Sequence, residues 1–256
     1  MDCSPVSMPS FKRFKSRIFV LLQYFIFDSA ASIFFSMPVI NTSVLFLLSK
    51  GRVILHPFAS FKFGHRSEIC GDGLIVIGAC SRINLSKYSV MKLNGVTRVG
   101  PHCYFHSEAF GEFSFSSNSI AEFVSLHAGK QMSIDIGFYT SVNRYSMLIG
   151  DITIYARTIV DPFVFIGSTS HQFKLSNKLS IEEQDKAYRV LSGGKEWSSP
   201  ISVGSDCWIR VNSVVLPGSR IPDKTILPAG CLIQKNTKFN TTAKDVYCVH
   251  SDENKC

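Results

Sequence analysis

Val203-Gly-Ser-Asp-Cys-Trp-Ile209-Arg-Val-Asn-Ser-Val-Val215-Leu-Pro-Gly-Ser-Arg-Ile221-Pro-Asp-Lys-Thr-Ile-Leu227-Pro-Ala-Gly-Cys-Leu-Ile233 places an aliphatic residue at every sixth position. Upstream, Ile136, Val142, Leu148, Ile154, Val160 and Ile166 keep the same spacing. Four residues after the aliphatics of the downstream run stand Cys207, Ser213, Ser219, Thr225 and Cys231. The equivalent upstream positions are Thr140, Ser146, Ile152, Thr158, Val164 and Ser170. Small and β-branched side chains suit a second inward position in a narrow coil. Neither the 3.6-residue period of a helix nor the two-residue alternation of a strand gives a step of six.

A six-residue repeat reads as one short strand and one corner, with three repeats per triangular turn. The aliphatics then stack from turn to turn into a core that no single repeat could bury. Pro217-Gly218 and Pro222-Asp223 fall between the inward positions, where corners belong. The fold expected is all-β: a left-handed parallel β-helix of hexapeptide repeats, with a short N-terminal helical segment and a protruding loop.

Earlier in the chain the repeat degenerates. Ile77 and Ile83 form one pair and Val99 and Phe105 another, with Ser81, Cys103 and Ala109 at the second position. The steps from Ile83 to Val99 and from Phe105 to Val124 are not multiples of six. Loops or bulged corners are therefore expected between about residues 85 and 95, and between about 110 and 121. Phe110, Phe113, Phe115 and Phe123 read as core before acceptor surface.

From Ile166 to Val203 the step is one residue more than six hexads, so the register breaks. Lys178, Glu182, Glu183, Gln184, Lys186 and Gly193-Gly194-Lys195 make the stretch too polar for buried coils. It reads as a functional loop reaching toward a neighbouring subunit. The organisation expected is an apolar and basic helical segment over 1–50, a β-helix domain over 51–240 with a loop excursion over 167–202, and a tail over 241–256.

Within 256 residues, 45% are hydrophobic and 18% charged, which describes a folded chain. A net charge of +8 fits a phosphorylated cofactor, an acidic glycan or anionic lipid headgroups. No zinc finger, RNP motif or helix-turn-helix accompanies it, so nucleic acid is not expected as a partner. The eight cysteines include no CxxC pair and read as reduced thiols in the cytosol.

At the N-terminus, Lys12, Arg13, Lys15 and Arg17 precede an apolar run from Ile18 to Phe35 that contains Gln23 and Asp28. Asp28 argues against a spanning helix. Two readings stay open, helices that cap the end of the β-helix and helices lying on the membrane interface. The location expected is cytoplasmic, with peripheral attachment to the inner face of the cell membrane under the second reading.

The segments from Val203 to Pro222 and from Ala229 to Lys235 resemble the hexapeptide-repeat acetyltransferases, nearest the maltose, galactoside and colanic-acid O-acetyltransferase branch. The resemblance is close over about 130–238, weak over about 69–130 and absent from the first 50 residues. It implies direct acetyl transfer from acetyl-CoA to a hydroxyl of a sugar, in a bacterial surface polysaccharide or its precursor, or in a small soluble acceptor. It also implies a homotrimer with active sites between prisms.

By the same resemblance, His171 in Ile166-Gly-Ser-Thr-Ser-His171 is the general base, with backbone N–H groups holding the oxyanion. Trp208 lines the acceptor pocket and Asn143 orients the acceptor. Val211, Ala229, Gln234 and Lys235 lie along the cofactor groove. Arg210 departs from the usual glycine, and Cys231 from a common serine.

Each residue also has a plainer reading. A histidine at a loop start is usually surface, and an aromatic at a β-helix corner usually a solvent edge. A zinc-dependent γ-type carbonic anhydrase shares the prism, but His102, His106 and His127 do not reproduce its spacing, and no metal is expected. A non-catalytic scaffold is the remaining rival.

Overall fold

The computed structural model describes residues 52–194, 197–240 and 247–249. The expectations for the N-terminal segment over 1–50, and for most of the tail, lie outside the described residues.

The chain winds into a three-sided parallel β-solenoid. The first face stacks eight strands, from Val53–Leu55 to Ile226–Leu227. The second stacks eight, from Ser60–Phe63 to Leu232–Ile233, and the third seven, from Glu68–Gly71 to Arg220–Ile221. Each strand pairs in parallel with its counterpart one turn away, giving about eight turns consistent with a left-handed β-helix. Beyond the prism, Lys238–Asn240 pairs antiparallel with Tyr247–Val249.

The two six-residue runs form the axis of the core. Ile136, Ile154, Val203 and Ile221 stack on the third face, Val142, Val160, Ile209 and Leu227 on the first, and Leu148, Ile166, Val215 and Ile233 on the second. All twelve are at most 3% exposed. At the second inward position Ile152 and Val164 add to the apolar core, and the hydroxyls there hydrogen-bond to the next turn. Thr140 Oγ1 donates to Tyr155 O at 2.8 Å, Ser146 Oγ to Asp161 O at 2.9 Å and Thr158 Oγ1 to Gly204 O at 2.8 Å. A buried hydroxyl must find such a partner, and the corner carbonyl one turn on supplies it. Cys103 sits in an equivalent place, where burial pushes its thiol up to about 11. Ser170 departs from the expectation: it lies in the excursion and is exposed, and Ile201 fills that position instead.

The early turns correct the expected loops. On the first face Val53 pairs with Ile75 and Ile75 with Thr97, steps of 22 residues; later Ser141 pairs with Ile159 and Trp208 with Ile226, steps of 18. The additional residues lengthen strands on the second and third faces and do not form loops. Val90–Asn94 and Glu112–Ser116 occupy the predicted gaps, and Met91, Leu93, Phe113 and Phe115 point inward at 0–1% exposure. The wider interior is filled by Phe105, Phe113 and Phe115, whose ring centroids lie 5.8–6.0 Å apart. Phe110 and Phe123 are exposed at corners, and Ala109 is half-buried.

Many corners place one residue at positive φ. In the late turns these include Asp206, Asn212 and Gly218, types that tolerate that region. In the middle turns His102, Phe123, Tyr145 and Phe163 take the role, stacked in a column at 4.8, 5.0 and 5.0 Å. Ring stacking offsets the backbone cost there.

Candidate active site

The excursion leaves the second face after Phe165–Gly167 and rejoins the third face at Ile201–Val203. Its neck is tied shut. Ser168 Oγ lies 2.8 Å from Ser198 Oγ, the Ser199 N–H donates to Ser168 O at 2.9 Å, and Thr169 and Ser198 form an antiparallel bridge. The long connection is thus a closed appendage on one corner of the prism.

It contains helix α1, Ile181–Leu191, where the sequence reading had only a loop. The signal for it was present in Ser180-Ile-Glu-Glu183. Ser180 Oγ accepts the Glu183 N–H at 3.3 Å, and the Glu183 carboxylate accepts the Ser180 N–H at 2.8 Å, a reciprocal cap. Glu182 and Glu183 in the first turn and Arg189 in the last complement the helix dipole. Buried Gln184 fastens the helix to the segment before it: its side-chain oxygen accepts the Leu175 N–H at 2.9 Å and the Ser176 N–H at 3.3 Å. Lys130 Nζ, from the fourth turn, donates to Gly193 O at 2.9 Å just past the helix end.

That docking brings Asp185 onto His171. Asp185 Oδ2 lies 2.6 Å from His171 Nδ1, and Asp185 Oδ1 accepts the Gln172 backbone N–H at 2.7 Å. The Gln172 N–H first and His171 second hold the Asp185 carboxyl below the ordinary carboxylate range. An ionised carboxylate only accepts, so the proton lies on Nδ1 and the Nε2 lone pair of a neutral ring is left free. The His171 side chain is 78% exposed and borders a cavity of about 310 Å³ shared with Tyr188, Arg189 and Trp197. An oriented imidazole with an open Nε2 can take a proton from a hydroxyl.

The other expected residues are distributed around the prism. Trp208 projects from the first face, with the Arg210 guanidinium 5.0 Å from its ring centroid. Val211 and Ala229 lie at the corner between first and second faces, joined through the Gly230 N–H to Val211 O at 2.8 Å. Asn143 is on the same corner two turns earlier and donates from Nδ2 to Val160 O at 2.9 Å. Gln234 and Lys235 follow the last second-face strand, at the next corner. There Lys235 lines a cavity of about 630 Å³ with Tyr155, Gly218 and Arg220.

Within one chain, His171 is therefore the only one of these residues on its cavity, and Trp197 rather than Trp208 is the indole beside it. Asp185 and Trp197 were missed by the sequence reading. His102 stacks on Phe123, and His106 and His127 lie 4.9 Å apart on the second face. Among the described residues no three His, Cys, Asp or Glu side chains converge as a metal site. No described helix is long and apolar enough to cross a membrane.

No family model matches the chain. The galactoside O-acetyltransferase of Escherichia coli (strain K12) is 26% identical over 136 residues, covering 53% of this chain and 54% of that protein. A second curated relative, from Schizosaccharomyces pombe, is 24% identical over 119 residues, 46% of this chain and 48% of its own length. The chain thus spans about half the length of the curated relatives it matches. The crystal structure of the polySia specific acetyltransferase NeuO aligns over 69% of this chain and 78% of that one, at 12% identity and a TM-score of 0.36. The six-residue repeat, the three-sided parallel β-solenoid it builds and the curated relatives together fit the hexapeptide-repeat acetyltransferase family.

Proposed function

We propose that the chain is an acetyl-CoA-dependent O-acetyltransferase that modifies a sugar hydroxyl, with His171 as general base. The observation that carries this reading is the His171–Asp185 pair, which fixes the imidazole tautomer and leaves Nε2 open to the cavity. His171 Nε2 accepts the proton of the acceptor hydroxyl as its oxygen attacks the acetyl carbonyl, and Asp185 stabilises the imidazolium that forms; the tetrahedral adduct then breaks its C–S bond, and the CoA thiolate leaves as the thiol with the proton returned from Nε2. Acetyl-CoA as co-substrate supplies the acetyl group activated as a thioester. The cationic pair Arg220 and Lys235, on one cavity, suits its phosphates.

Trp208, Asn143, Val211 and Ala229 sit on another face and corner from His171. A homotrimer that sets one prism's first–second corner against the next prism's excursion unites them, and the separation of these residues supports that assembly. A likeness to a galactoside O-acetyltransferase supports a sugar acceptor, and the net charge supports one in an acidic surface polysaccharide or its precursor. The N-terminal basic and apolar segment favours attachment to the cytoplasmic membrane face.

The test incubates the purified full chain with acetyl-CoA and either capsular or lipopolysaccharide glycans or free galactosides. Thiol release and the mass of the product are then read. Acetylated polysaccharide is the expected product. Acetylation of free galactosides alone moves the acceptor to the soluble class, and no thiol release with any acceptor removes the transferase reading.

A further inference from the structure

The second face carries a cleft far from the excursion. It lies on the first three turns, encloses about 580 Å³ and is lined by Phe58, Lys62, Arg82, Asn84 and Tyr104 among others. Lys62 and Arg82 project outward from adjacent strands, and neither makes an ion pair among the described residues. Arg82 pairs with Ser60 and Lys62 with Asn84, so the two cations are diagonal neighbours on the face, and like charges this close repel one another unless an anion lies between them. Phe58 is 70% exposed and Tyr104 43%, so two aromatic rings flank the cations.

From Lys62 in this cleft one row of the ladder climbs the same face, half-buried from Asn84 to Ile149 and ending on buried Gly167. The ladder pairs Lys62 with Asn84, Asn84 with His106, His106 with His127, His127 with Ile149 and Ile149 with Gly167. Gly167 is the last strand residue before the excursion that carries His171. Parallel strands lie about 4.8 Å apart, so Arg82 is roughly 19 Å below that exit. This is the reach of a short oligosaccharide. Glu108 borders the row, 3.9 Å from His127 Nε2, and is the acidic group an anionic chain must pass.

We propose that the second face is an extended binding track for an acidic polysaccharide, whose carboxylates are held by Lys62 and Arg82 while a sugar unit farther along the chain reaches His171. The proposal rests on the acetyltransferase reading for the identity of the acceptor. Unpaired cations beside aromatic rings match a carboxylated sugar, which offers both an anion and an apolar C–H face. A neutral sugar leaves the two charges uncompensated.

Calorimetric titration of the full chain without acetyl-CoA tests the track, with hexagalacturonate, maltohexaose and phosphatidylglycerol vesicles as probes. Hexagalacturonate is expected to bind with an affinity that falls with salt. The Lys62→Ala/Arg82→Ala variant is expected to weaken it at least tenfold. Arg98→Ala, which removes an exposed cation from the first face, leaves it unchanged. Lys62→Arg/Arg82→Lys keeps both charges and retains binding, which separates charge loss from misfolding. Equal hexagalacturonate affinity in the wild type and the alanine variant overturns the proposal. So does equal binding of maltohexaose, or a cation dependence confined to vesicles. Charge-dependent hexagalacturonate binding by a protein that never releases thiol from acetyl-CoA supports the track and removes the transferase reading.

Discussion

Asp185 holds His171 across fourteen residues of sequence, with one carboxylate oxygen 2.6 Å from the ring Nδ1 and the other on the Gln172 backbone N–H. The same carboxylate thus fixes both the ring and the backbone of the residue after it. The helix that carries Asp185 is built mainly to hold that position, since its one buried side chain, Gln184, anchors the intervening segment.

Replacing His171 with alanine is expected to lower acetyl transfer by about a hundredfold to ten-thousandfold, the usual contribution of a positioned base. The imidazole is exposed and bears no core contact, so circular dichroism and the melting profile should match the wild type. Turnover close to wild type in a folded variant removes the assignment.

Asp185→Asn is expected to reduce transfer as well, because the amide can present its NH2 to Nδ1 and favour the tautomer with the proton on Nε2. A depressed carboxyl pKa in the folded state means that protons bind the unfolded chain more tightly. Asp185 therefore stabilises the excursion above the ordinary aspartate value of about 3.9, and this contribution disappears as pH falls through the lower folded value. Hydrogen exchange at the Gln172 amide should rise over that acid window in the wild type. In Asp185→Asn no such window should appear.

Gln184→Ala is expected to strip the Leu175 and Ser176 N–H groups of their shared acceptor and to cost about 1–3 kcal/mol in the excursion, two bonds of about 0.5–1.5 kcal/mol each. Limited proteolysis should then cut within 172–191 while the prism stays intact. Uniform destabilisation of the whole chain is the result against a separately anchored appendage.

Phe113→Ala is expected to destabilise the prism by about 3–5 kcal/mol, because the ring is fully buried in a wide turn whose facing rings cannot close the gap. Phe110→Ala, at an exposed corner, loses only ring stacking on Tyr88 and should cost far less. Chemical denaturation of both variants compares them directly.

The sequence by itself determined the prism. A buried aliphatic at each sixth residue leaves little choice, since only a three-sided coil turns Ile209, Val215 and Ile221 all inward and then stacks Leu227 on Ile209. Where two faces lengthen, as around Met91 and Leu93, the spacing is six, then two, then six. A search for sixes alone reads such a turn as broken. The position of His171 at a register break was also legible, because the end of a periodic run is a local property.

Its partner was not. Asp185 and Trp197 reach the same cavity only because a capped helix folds back and the neck at Ser168 and Ser198 closes, and both depend on contacts remote in sequence. Which face and corner each residue occupies was likewise decided by tertiary structure: hexad spacing makes Trp208 and Val211 near neighbours of the repeat, but winding sends them to a different side of the prism from His171.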